Sequence, residues 1–85
     1  MNLAIKLPQN EYLELSNSDL SGFGLTPREA EVVSWICYGK TNWEISRILG
    51  ISIYTVKVHV RSILKKMRVE NRLQVIVTVI SRMMG

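Results

Sequence analysis

One cysteine, Cys37, and one histidine, His59, are all that this 85-residue chain holds of the two commonest metal-binding side chains. A lone cysteine excludes an internal disulfide, and neither residue has the partners that a zinc site requires. No apolar run approaches the ~20 residues that cross a bilayer. The first residues lack the basic start and apolar stretch of a secretion signal. The apparatus of catalysis is missing too: no nucleophile stands beside a base, no glycine-rich loop could cradle phosphate, and no two carboxylates form a dyad. Gly22-Phe23-Gly24 reads as a linker, not as a nucleotide motif. These absences predict a protein that is not an enzyme, carries no metal or cofactor, and works in a reducing, cytoplasmic setting away from membranes.

What is present points to one small domain. Apolar residues make up 47% of the chain, enough for a modest core without covalent staples. The net charge is +4, and it is unevenly spread. Residues 1–24 hold Lys6 against Glu11, Glu14 and Asp19, whereas residues 25–85 hold ten Lys or Arg against four Glu. Lys57, Arg61, Lys65, Lys66 and Arg68 follow one another with no acid between them. A field of one sign attracts nucleic acid or an anionic membrane. A solvated helix face is the plainer alternative, but such faces usually mix both signs.

Residues 1–24 read as an arm and linker. Leu3, Ile5 and Leu7 alternate with other residue types, which suggests a short extended piece. Glu11–Leu15 has room for a turn of helix, and Ser16–Gly24 has a linker's composition. The remainder, residues 25–85, reads as four helices, so the fold class expected is all-α. Thr26-Pro27-Arg28-Glu29 is a capping box with proline at the first helical position, and this helix runs to about Tyr38. Thr41-Asn42-Trp43-Glu44 repeats the box and opens a second helix that stops at Gly50. Ser52 caps a third, to about Met67, and Asn71-Arg72-Leu73-Gln74 opens a fourth, to about Arg82. Apolar stripes agree: Val32, Val33, Ile36 and Cys37 on the first helix, Ile45, Ile48 and Leu49 on the second, Val56, Val60, Ile63, Leu64 and Met67 on the third. Cys37 is then a small buried apolar residue. Val75, Ile76, Val77, Val79 and Ile80 favour a strand by residue type, but their cap and position favour helix. They cover more than one side of it and leave a spare apolar face.

A short helix, a turn at Gly50 and a second helix from Ser52 make a helix-turn-helix whose core spans 42–61. In its second helix Lys57, Arg61 and Lys65 recur at i, i+4 and i+8 and share one face, with Val58 beside them. Such a face suits a DNA major groove while its back holds the core. Lys57, Val58 and Arg61 are the candidate base readers, since arginine can grip guanine twice and valine can touch a thymine methyl. Lys65 and Lys66 are expected at phosphates, as are Ser52 and Thr55 at the helix start and, from the second helix, Thr41. Thr41 is equally well explained as a cap. His59, Trp35 and Trp43 are best read as packing or helix-surface residues.

Leu25-Thr26-Pro27-Arg28-Glu29, Glu31-Val32-Val33, Gly39-Lys40-Thr41-Asn42, Glu44-Ile45-Ser46, Ile51-Ser52, Thr55-Val56-Lys57-Val58-His59-Val60, Lys66-Met67 and Asn71-Arg72 together resemble the LuxR-type (GerE-like) helix-turn-helix. The likeness covers roughly residues 22–83. It implies a four-helix DNA-binding domain of bacterial transcription regulators, nucleoid-associated, with the third helix as reader and Lys57, Val58 and Arg61 at the base-reading positions. Trp35, Lys40-Thr41 and Trp43-Glu44-Ile45 look more like the autoinducer-responsive branch than the response-regulator branch. The family's fourth helix often dimerises, which here points to Leu73, Val77, Ile80 and Met84 and to a homodimer, at least on DNA. Residues 1–24 are too short for the input domain that most members carry, so either a small stand-alone regulator or a fragment of a longer one is expected. RNA polymerase or another LuxR-type regulator are the further partners the resemblance implies. An anti-regulator that pairs with a larger family member through its fourth helix stays open beside the DNA-binding reading.

Overall fold

The computed structural model describes residues 3–6, 12–15 and 20–85. Two short strands, β1 (Leu3–Lys6) and β2 (Tyr12–Leu15), precede four helices: α1 (Pro27–Cys37), α2 (Asn42–Leu49), α3 (Ile53–Met67) and α4 (Arg72–Met83). The strands pair antiparallel, Leu3 opposite Leu15 and Ile5 opposite Leu13. The extended piece expected at the start is therefore present over residues 3–6, while Leu7 lies outside the described residues. Tyr12–Leu15 is a strand where a helical turn was expected, and Glu11 is outside the described residues. Four or five residues cannot meet the cost of nucleating a helix alone, whereas a paired strand gains its hydrogen bonds from a partner. Of the expected linker, residues 16–19 also lie outside. The strands are confined to the arm; the domain that follows is built of helices.

Each helix begins where its side chains satisfy the first free amides. Thr26 Oγ1 accepts the Glu29 amide at 3.1 Å, and Glu29 Oε1 accepts the Thr26 amide at 2.9 Å. Thr41 and Glu44 repeat the exchange with the same two distances. Ser52 Oγ accepts the Thr55 amide at 3.0 Å, and Asn71 Oδ1 accepts the Gln74 amide at 2.9 Å. Caps of this kind are worth ~1 kcal/mol each, so they fix boundaries without supplying the bulk of stability. Gly50 ends α2 at φ +67°, and the Ile51 amide returns to the Ser46 carbonyl at 3.1 Å. This left-handed residue turns the chain sharply enough to set α3 across α2.

The core is drawn from all four helices and from Leu20 ahead of them: Val32, Val33, Ile36, Cys37, Ile45, Val56, Ile63, Met67, Val75 and Val79. Burial pushes the Cys37 thiol up to about 12, which keeps it protonated and inert at neutral pH. The α2 stripe departs from expectation, because Ile48 is 45% exposed while Ser46 is buried. At 100° per residue Ser46 and Ile48 flank the Ile45–Leu49 face at equal angles on opposite sides, and the packing covers the Ser46 side. Ser46 meets the demand of burial by donating its hydroxyl to the Trp43 carbonyl at 2.6 Å.

Three long-range polar ties lock the helices in place. Lys66 Nζ on α3 reaches Glu29 Oε1 on α1 at 2.7 Å. Arg72 on α4 donates to Asn42 Oδ1 and to the Lys40 carbonyl, both at 2.6 Å, and so pins α4 to the α1–α2 connection. Arg82 seats the linker: its guanidinium lies 4.1 Å over the Phe23 ring and donates to the Ser21 carbonyl at 2.5 Å.

Candidate nucleic-acid interface

α3 is held from behind. Val56, Ile63 and Met67 are buried, and Val60 and Leu64 pack against the same core. The helical period then forces Lys57, Arg61 and Lys65 to the opposite side, and all three are exposed. Val58 is exposed beside them. Arg68 closes the stripe as the helix's C-cap; it is the one non-glycine residue with positive φ (+58°) among the described residues. None of Lys57, Arg61, Lys65 and Arg68 enters an ion pair among the described residues. Four uncompensated cations on one side of a 15-residue helix give a concentrated positive field.

Lys66, expected at the phosphates, already has a partner within the fold. Its ammonium turns to the α1 side and pairs with Glu29, whose side chain is only 6% exposed. The reason lies in the period: Lys66 follows Lys65 by 100° and so leaves the stripe on which Lys57, Arg61 and Lys65 stand. Burial of the Glu29 carboxyl opposes its ionisation, but hydrogen bonds from Lys66, Ser62 and the Thr26 amide outweigh that and bring its pKa down to about 2. Lys66 thus neutralises a buried acid and serves the fold.

Ser52 and Thr55 stand together at the N-terminal end of the stripe, with hydroxyl oxygens 2.9 Å apart. Whichever donates to the other, one hydroxyl hydrogen stays free to meet an anion. Thr41 lies apart from them as the cap of α2, exposed, its oxygen accepting from Glu44. His59 is half-buried, and among the described residues no three His, Cys, Asp or Glu side chains gather as a metal site. Trp35 packs half-buried against the core and meets Tyr38 edge to face at 6.1 Å. Trp43 is a surface residue under the Arg47 guanidinium, 5.9 Å from its ring centre.

The residue that the sequence reading passed over is Tyr54. It is 71% exposed on the first turn of α3. Its spacing was the available signal: three residues before Lys57 and seven before Arg61 put it on their face. On α4 the residues expected to dimerise form a stripe at i, i+4, i+7 and i+11. Leu73, Val77 and Met84 are 67%, 55% and 70% exposed, while Ile80 is half-buried. Val75 and Val79, on the other side, are fully buried. The spare apolar face is therefore real, and it borders a groove of about 310 Å³ lined by Arg68, Val69, Glu70, Leu73, Gln74, Val77 and Thr78.

The sequence relationships match this arrangement. Residues 24–79 match the family model of bacterial regulatory proteins of the luxR family (GerE). The chain is 49% identical over 61 residues to the transcriptional activator protein YukR of Yersinia ruckeri, covering 71% of this chain and 27% of that protein. It is 36% identical over 77 residues to the transcriptional activator protein LuxR of Aliivibrio fischeri, covering 87% of this chain and 31% of that one. It is 46% identical over 55 residues to the nitrate/nitrite response regulator protein NarL of Escherichia coli, covering 65% and 26%. The chain thus spans less than a third of the length of these relatives. A family match over more than half of the chain, on a four-helix domain with the expected turn at Gly50, leaves one assignment: the chain belongs to the luxR family of bacterial regulatory proteins.

Proposed function

We propose that the chain binds duplex DNA in a sequence-dependent way as a bacterial transcription regulator, with α3 in the major groove. The observation that carries this reading is the exposed stripe Lys57, Arg61, Lys65 and Arg68, free of ion pairs among the described residues and rigidly backed by Val56, Ile63 and Met67. Lys57, Val58 and Arg61 read base edges from the half of α3 that enters the groove. Lys65 and Arg68 lie further along and meet phosphates. One hydroxyl of the Ser52–Thr55 pair, and the Thr41 hydroxyl from the start of α2, add neutral phosphate contacts. The chemistry is recognition, with no bond made or broken. The names of the relatives, transcriptional activators and a response regulator, support the regulatory role.

The α4 stripe supports a two-fold dimer on DNA through Leu73, Val77, Ile80 and Met84. The same stripe would serve an anti-regulator that pairs with a larger LuxR-type protein. A pure inhibitor has no need of an unpaired basic stripe on α3, and for that reason we favour the DNA reading. Binding titrations on duplex DNA at several salt concentrations test it. Each phosphate neutralised contributes a slope of about −0.9 in log K against log salt. The expected result is a steep fall of affinity with salt; affinity indifferent to salt would overturn the reading.

A further inference from the structure

We propose that Tyr54 is a further DNA-reading residue whose phenol enters the major groove one turn ahead of Lys57, Val58 and Arg61 and recognises a thymine. The inference rests on the reading of α3 as the recognition helix and adds one base contact to it.

At 3.6 residues per turn, Tyr54, Lys57, Val58, Arg61 and Lys65 fall within an arc of about 100°, and Tyr54 lies near its middle. Any surface that lets Lys57 and Val58 approach base edges brings Tyr54 in with them. Tyr54 also stands at the N-terminal end of α3, the end from which recognition helices make their first base contacts.

Tyr54 is the most exposed of the large apolar side chains among the described residues; on the same helix Val56, Ile63 and Met67 are buried, and Ile53 and Val58 are much less exposed than Tyr54. Its hydroxyl makes no hydrogen bond among the described residues. The neighbouring hydroxyls of Ser52 and Thr55 are short and share one hydrogen bond, which leaves a single O–H between them, so Tyr54 is the long-reaching neutral donor of this turn. Its ring, unlike those of Trp35 and Tyr38, has no aromatic partner among the described residues.

Side-chain chemistry then selects the base. Thymine alone presents an apolar group in the major groove, its C5-methyl, next to an acceptor, O4. A phenol offers an apolar ring edge for the first and an O–H donor for the second. It lacks the fork that grips guanine and the amide that pairs with adenine.

The test uses the duplex that the full chain selects from random DNA, with uracil replacing thymine at one half-site position at a time. Uracil removes only the methyl, so the wild type should weaken about fourfold at the position under Tyr54, the worth of one buried methyl. Tyr54→Ala should erase the uracil effect at that position and leave any effect under Val58 intact. Tyr54→Phe should keep the methyl sensitivity while losing affinity for the selected site, and circular dichroism should report an unchanged fold for both variants. The salt slope should stay as in the wild type, because a neutral phenol displaces no counterion. If Tyr54→Ala weakens selected and random duplexes alike, the phenol touches phosphate and the proposal is wrong. It is equally wrong if Tyr54→Ala changes nothing while Arg61→Ala still relaxes base choice, and in that case the reading of α3 survives. If the wild type binds every duplex alike and Arg61→Ala alters nothing, the reading of α3 fails and takes this inference with it.

Discussion

Glu29 takes part in two devices at once. Its Oε1 completes the cap of α1 by accepting the Thr26 amide, and the same atom receives the Lys66 ammonium from α3. Removing Lys66 leaves the Glu29 charge where water can barely reach, which is why a single substitution here should be felt by the whole domain. The carboxyl's pKa of about 2, against an ordinary 4.5, ties this site to pH. A carboxyl whose folded pKa lies below its unfolded value contributes stability that is fully present above the unfolded pKa and lost as pH falls toward the folded one. Denaturant melts between pH 5 and pH 2 should therefore show the wild type losing on the order of 3 kcal/mol more than Glu29→Gln over that window. Equal losses in the two proteins would mean that Glu29 is not held ionised by the fold. Lys66→Ala should lower stability by about 1–3 kcal/mol, discounted for the partial exposure of the ammonium, and leave the salt slope of DNA binding unchanged. A slope reduced by about one would return Lys66 to the phosphates.

α3 and α4 differ in how their apolar residues are disposed of. On α3 the aliphatic positions are largely taken up by the core, and what remains outside is mostly cationic. On α4, Val75 and Val79 fill the core while Leu73, Val77 and Met84 stay in water. Exposed apolar side chains in a line at helical spacing mark a contact surface. A charge in the middle of that line, Val77→Glu, is expected to abolish binding to a duplex with two half-sites while leaving a folded spectrum by circular dichroism. If the variant binds the two-half-site duplex normally, α4 does not dimerise; if it unfolds, the assignment of its face is wrong. The helix boundaries were legible from the chain alone because each cap joins residues three apart: Thr26 with Glu29, Thr41 with Glu44, Ser52 with Thr55, Asn71 with Gln74. The partner of Lys66 was not, since Glu29 lies 37 residues away and only the packing of α3 on α1 joins them. Tyr12–Leu15 was misread for a related reason: its ladder partner is Leu3–Lys6, and residues 12–15 alone do not reveal the pairing. Ile48 fell outside the core because an eight-residue helix offers too few positions for its stripe to fix the face it buries.

At the scale of the molecule, charge is segregated: the first 24 residues are acidic and the remaining 61 strongly basic. On the proposed function, such a domain would be drawn to DNA at long range, and contact geometry would then decide between sequences. Two copies joined through α4 would set two α3 helices about one DNA turn apart, roughly 34–36 Å, and would favour a near-palindromic site. The four-helix architecture and most of the exposed basic stripe on α3 were legible in the sequence, because helical period and caps are local properties. The surroundings of Lys66 and Tyr54 depend on which side of α3 the core claims, and that needed the packed structure. The central claim is that α3 reads bases, and Arg61 is the side chain that tests it most directly. The measurement is the affinity of the wild type and of Arg61→Ala for the selected duplex, for single-base variants of it and for random DNA, at one salt concentration. The account predicts a loss of about 1–3 kcal/mol on the selected duplex, relaxed discrimination at one position of each half-site, and a much smaller loss on random DNA. Equal losses on selected and random duplexes, with base preference unchanged, would contradict it.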